Sequence, residues 1–188
     1  MAVNLFLVIP PNAATPQISK ALTSTQDQWF VTTFPSAAIF EITDFEFTAE
    51  NPTVIGAGST GAGAGKIKFD GLVIHKPVDQ GSPALFTISA SGEHFPVVQL
   101  YIRNASGPAG TATIPFLGYE FQTVYITNIG WSAGGESTQP VEAVTFAFAA
   151  MVTAFKPTNP DGTLGQASRG GWSEITNSGN VQDTLDVK

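Results

Sequence analysis

The sequence predicts a mainly β domain, a β-barrel of two curled antiparallel sheets with one short α-helix over about residues 83–91. Three observations carry this. Segments rich in β-branched and aromatic residues alternate apolar and polar with period two, the pattern of half-buried strands. In two of them the apolar parity flips midway, which marks bulges of the kind that curl a sheet toward closure. One segment alone, Gly81 to Gly92, carries helix punctuation at both ends.

Taken in order, Val3 to Ile9 is a seven-residue apolar run without a basic flank that ends at Pro10-Pro11, so it reads as a strand rather than a cleaved signal. Residues 10–36 form a long polar connection. In Ile39 to Phe47, Phe40 and Ile42 give way to Phe45 and Phe47 on the other parity. Residues 52–65 are a glycine-rich excursion between strands. In Lys66 to His75 the parity flips again, from Ile67 and Phe69 to Leu72 and Ile74, across Asp70-Gly71.

The helix follows. Ser82 can accept from the free amides of the first turn, Pro83 stands at the first helical position where its missing N–H costs nothing, and Gly92 supplies a left-handed stop. Leu85, Phe86 and Ile88 are expected to pack it against the sheets. Next, Val98, Leu100 and Ile102 oppose Gln99, Tyr101 and Arg103, and Tyr119, Phe121 and Tyr125 oppose Glu120, Gln122, Val124 and Ile126. Val141 to Phe155 fits a helical stripe as well as a strand, but its aromatic and β-branched content favours a strand of about 50 Å, able to bend from one sheet to the other. Residues 156–171 are surface chain, a last strand lies around Trp172 to Ile175, and the polar tail 176–188 is expected to fray from Val181 onward.

Composition narrows function. A chain of 188 residues fits one domain. Only 12% of residues are charged and the net charge is −7, with eight Lys and Arg in all, so a clustered basic surface for nucleic acid is absent. There is no cysteine, hence no disulfide framework or thiolate metal site. The longest apolar run falls short of a bilayer span, which argues against stable membrane insertion.

Three patterns suggest chemistry and fail on context. Gly56-Ala57-Gly58-Ser59-Thr60-Gly61 matches a dinucleotide-binding turn, but a strand rather than a helix follows it. Gly130-Trp131-Ser132-Ala133-Gly134 matches a nucleophile elbow, yet His75 and His94 both precede the serine, the reverse of the hydrolase order, so a turn between strands is expected there. The same two histidines lack the three or four converging ligands of a metal site. No catalytic, cofactor-binding or metal-binding residue is therefore assigned, and the protein is not expected to be an enzyme.

The run Lys76-Pro77-Val78-Asp79-Gln80-Gly81-Ser82-Pro83-Ala84-Leu85-Phe86, with Gly92-Glu93-His94 after it, resembles the haemolysin co-regulated proteins (Hcp), the tube subunits of bacterial type VI secretion systems. The matching residues are Lys76, Asp79, Ser82, Pro83, Leu85, Phe86, Gly92 and His94, and the likeness extends over about Phe40 to Ile175. Residues 10–36 depart from the family and lack its Gly-Glu-Ser-like turn. The resemblance implies a hexameric head-to-tail ring that stacks into the secreted inner tube, with spike and sheath proteins as partners and effector proteins in the lumen. It places a long strand over Val141 to Phe155 and an extended loop at residues 52–65. Gly56, Ala57, Gly58, Ser59, Thr60, Gly61, Ala62 and Gly63 become the candidate ring-stacking loop. It also implies a cytoplasmic protein secreted without a signal peptide. A monomeric ligand-binding or cargo barrel, and the tail-tube subunit of a phage-like particle, are the alternatives.

Overall fold

A computed structural model describes residues 2–52, 66–105, 114–134, 139–159 and 163–187. Among these the strands are β1 (Val3–Ile9), β2 (Ala38–Ile42), β3 (Asp44–Glu46), β4 (Ala49–Glu50), β5 (Lys68–Phe69), β6 (Leu72–Pro77), β7 (His94–Asn104), β8 (Leu117–Ser132), β9 (Val141–Ala147), β10 (Ala150–Phe155) and β11 (Ser168–Ser173). The helices are α1 (Gln28–Thr33) and α2 (Ser82–Ser91), with a 3-10 turn at Lys20–Leu22. The fold is mainly β, as expected, and every strand pair is antiparallel.

The expected pair of sheets is instead one nine-stranded sheet plus the small β4–β5 pair. The reason is β8. Its sixteen residues pair with β7 along one edge, while the other edge takes β10 over its first half and β9 over its second. The change of partner occurs at Thr123, whose φ of 54° kinks the strand, so Phe121 and Val124 face the same core. Val141 to Phe155 is accordingly strand, but broken into β9 and β10 at Phe148-Ala149.

The sheet runs β2-β1-β7-β8-β9-β6-β3. Its ends, β2 and β3, are consecutive pieces of one extended segment parted at Thr43, where the predicted parity flip falls. Thr43 donates both its N–H and its hydroxyl to the His75 carbonyl on β6, at 2.8 and 3.0 Å. The ladder therefore ends as an open path rather than a closed ring. The other predicted flip, at Asp70-Gly71, separates β5 from β6.

One core lies between the curled strands and α2, with Leu7, Phe40, Ile74, Leu85, Phe95 and Phe146 among its buried members. A second cluster covers the opposite face of β1 and β7, where Phe6, Val8 and Tyr101 meet Phe30 of α1 and Leu185 and Val187 of the tail. This corrects three expectations. Gln99, Tyr101 and Arg103 are buried rather than solvent-facing. Residues 10–36 hold a second helix, capped by Asp27, whose carboxylate accepts from the Trp29 and Phe30 amides. The C-terminal tail does not fray, because two of its side chains are apolar enough to fill that second cluster.

Candidate functional site

The residues singled out around α2 converge on a buried ionic knot. Along β6 the inward positions are Leu72, Ile74 and Lys76; along β9 they are Glu142, Val144 and Phe146. The register sets Lys76 opposite Glu142, so the last inward positions of two neighbouring strands carry opposite charges. Lys76 Nζ lies 2.8 Å from Glu142 Oε1 and 2.9 Å from Asp79 Oδ1, with the lysine and glutamate side chains fully buried. It also donates to the Pro77 carbonyl at 2.9 Å and stands 5.4 Å from the Phe40 ring centroid.

Ser82 enters this knot rather than capping the helix as expected. Its hydroxyl donates to Glu142 Oε1 at 2.8 Å and accepts from the Asp79 amide at 3.0 Å; the helix starts from Gly81 with no side-chain cap. Ser82 is the first residue inside the helix, past the capping position at Gly81, so its hydroxyl turns to the buried carboxylate in a charge-assisted bond. Asp79 instead accepts from the Gly81 amide, and Gly81 is required by space, since a Cβ there would meet the Phe40 ring at 2.3 Å. Pro83 follows within the first turn, and Gly92, at φ 71°, ends the helix as predicted. Glu142 Oε2 accepts the Trp131 indole N–H at 3.0 Å, which completes the knot. Four elements, β6, α2, β8 and β9, are thus tied at one buried point.

The remaining motif residues divide. Leu85 and Ile88 are buried against the sheet, but Phe86 is 52% exposed and stacks edge-on against Trp131, because among the described residues no strand lies over that side of α2. His94 stacks on its cross-strand partner Tyr125, with ring centroids 5.0 Å apart, rather than bonding the helix end; Gly92 and Ser91 already occupy the Ile88 carbonyl. The candidate stacking residues Gly56 to Gly63 lie outside the described residues.

Sequence reasoning missed a second knot on the outer face. Glu120, fully buried, accepts from Gln99 Nε2 at 3.1 Å, Gln122 Nε2 at 2.7 Å and the Thr184 amide at 3.1 Å, and also from the Thr184 hydroxyl. The Tyr101 hydroxyl accepts from the Asp186 amide at 3.1 Å, and burial pushes its phenol well above the usual range. A third pair, Arg103 and Asp27, sits with the guanidinium over Phe6 and Phe30 and ties α1 to β7.

Nothing in these knots presents a reactive group. Gly130, Trp131 and Ser132 form the regular end of β8, paired with Ala143, Glu142 and Val141, instead of the expected turn. His75 contacts Asp44 at 2.5 Å, and among the described residues no three metal-ligating side chains gather. No described helix is long and apolar enough to cross a membrane. The contacts described at the site join elements of the fold to one another.

A family model described as "Type VI secretion system effector, Hcp" matches residues 36–155, well over half of the chain. The chain belongs to the Hcp family. Solved structures agree on the fold. A type six secretion system protein superposes with a TM-score of 0.73 at 23% identity, covering 94% of this chain and 99% of that one. Hcp1 from Salmonella typhimurium gives 0.65 at 20% identity, over 94% and 98%. A type VI secretion system effector from Yersinia pestis gives 0.61 at 16%, over 90% and 98%. No curated protein sequence matches significantly. As an Hcp protein the chain is a type VI secretion tube/effector protein, a structural component that is secreted by that system. Membership also implies self-association and partners within the secretion machine.

Proposed function

We propose that this Hcp chain forms homohexameric head-to-tail rings that stack into the hollow inner tube, which is fired with spike and sheath proteins and carries effectors in its lumen. Family membership is the observation that carries this reading. The architecture supports it. The strand path runs open from β2 round to β3, and among the described residues β3 pairs with one strand only. Free edges are a liability in a lone subunit and an asset in an assembly. Head-to-tail contacts close into a ring when the rotation between neighbours closes. With only 12% charged residues, few ions need be desolvated where copies meet.

Within this reading the buried knot of Lys76, Asp79, Ser82 and Glu142, with Pro83, Leu85 and Gly92, holds α2 in place, while Phe86 and His94 serve the surface. Gly56 to Gly63 is the ring-stacking loop. The protein is made in the cytoplasm and leaves through the type VI machine. Deleting Ala57 to Ala64 is expected to leave the native mass of a hexamer unchanged while abolishing tubes at high concentration. Loss of the hexamer in that variant would refute this assignment of the loop.

A further inference from the structure

Four of the nine large apolar side chains left exposed among the described residues gather at two places. The first is the platform of Phe86 on α2 and Trp131 at the end of β8, each 52% exposed, with ring centroids 5.7 Å apart. Its geometry is fixed, because the Trp131 indole is held by buried Glu142. An aromatic already locked in place loses little entropy on docking, which is the property of an interface anchor.

The second is a ledge. Beyond β8 the sheet continues as β10 and β11, and among the described residues β11 pairs with no further strand, only with Ser178 at its end through Ser173. One face of this ledge is covered, since Val152 and Ala154 lie under Leu185 and Val187. On the other face Met151, Phe155 and Trp172 follow on from the core: Trp172 pairs with Met151 and Met151 with Phe121, while Phe155 pairs with Leu117. Phe155 is 45% and Trp172 39% exposed. Among the described residues this face is only partly covered: Phe116 stacks edge-on against Phe155, and Gly179 lies beside the Trp172 ring.

The two surfaces lie toward opposite ends of β8. Trp131 is ten residues past Phe121, which at ~3.4 Å per residue is roughly 30 Å along the strand. A rotationally symmetric head-to-tail contact needs two different patches on separate sides of one subunit, whereas a two-fold dimer needs one patch that matches itself. A locked aromatic platform and a distant ledge whose aromatic side chains remain partly exposed meet that requirement.

We infer that the Phe86–Trp131 platform of one copy seats on the Met151–Phe155–Trp172 ledge of the next copy, and that this is the contact which closes the ring. The inference rests on the ring reading above and adds the surfaces that make it. It is tested with Phe86→Glu and Phe155→Glu, both at exposed positions, in the full chain. Each variant alone is expected to be a folded monomer by native mass and circular dichroism. Mixed one to one, they should give a heterodimer and nothing larger, because the mixture retains one intact platform facing one intact ledge. Phe86→Ser and Trp172→Ser repeat the test without introducing charge. Rings from either single variant, or a mixture that stays monomeric while the wild type forms rings, would overturn the pairing alone. A wild type that remains monomeric overturns the ring reading, and the pairing falls with it.

Discussion

Glu142→Ala is expected to cost about 3–5 kcal/mol, because it leaves Lys76 buried with only part of its compensation. Against a typical domain stability of about 5–15 kcal/mol, that removes a large share of the fold. Lys76 is fully enclosed, and Glu142 supplies its contact across the strand pair at 2.8 Å. The same substitution strips Ser82 and Trp131 of their acceptor. The double variant Lys76→Met with Glu142→Leu is expected to recover at least half of the loss, since desolvating the ions costs nearly as much as their attraction returns. Urea unfolding midpoints at unchanged slope provide the measurement. A loss under about 1 kcal/mol in the single variant would mean that water or rearrangement reaches the lysine and that the knot does not hold α2.

Truncation after Asn180 is expected to be nearly as severe. Leu185 and Val187 are buried against β7 and β10, and burying side chains of this size is worth about 1.5–3 kcal/mol each. Two further losses follow. Glu120 forfeits the Thr184 amide and hydroxyl, and the Tyr101 hydroxyl forfeits the Asp186 amide; each buried group left short costs about 1–3 kcal/mol. A loss of at least about 4 kcal/mol in a urea titration is the expected result. An unchanged midpoint would restore the frayed tail that composition suggested.

That tail shows where sequence reading stops. Gln182, Asp183 and Thr184 look like a polar terminus, and only Leu185 and Val187, two apolar residues in alternation, hint at docking. Their partner surface is Gly118 and Tyr101, distant in sequence; a Cβ at Gly118 would meet Val187 at 2.8 Å. Such a fit is set by tertiary packing and leaves almost no local signature. Residues 10–36 behaved similarly. Asp27 before Trp29-Phe30-Val31 is a helix-start signal, but α1 is short and is stabilised by Phe30 stacking on Phe6 at 4.1 Å rather than by its own propensity.

Other features were legible because they are local. The parity flips at Thr43 and Asp70-Gly71, the stop at Gly92 and the strand character of Val141 to Phe155 all follow from backbone and side-chain chemistry within a few residues. The two-sheet expectation failed on β8, where one strand serves two partners through a positive φ at a threonine, a residue that seldom marks such a kink. The buried knot was half visible. Lys76 and Glu142 each continue an inward apolar series, so two strands carrying opposite charges at inward positions were present in the pattern. What the sequence lacked was the register that brings them together, and with it the reason Ser82 leaves the helix cap.

The central claim, that this Hcp chain works as a ring-forming tube subunit, is tested most directly by negative-stain electron microscopy of the purified, untagged protein beside its native mass. Six-fold annular particles with a mass six times the 19.7 kDa chain are the predicted result. A uniform population at 19.7 kDa, without annular particles at high concentration, would contradict it.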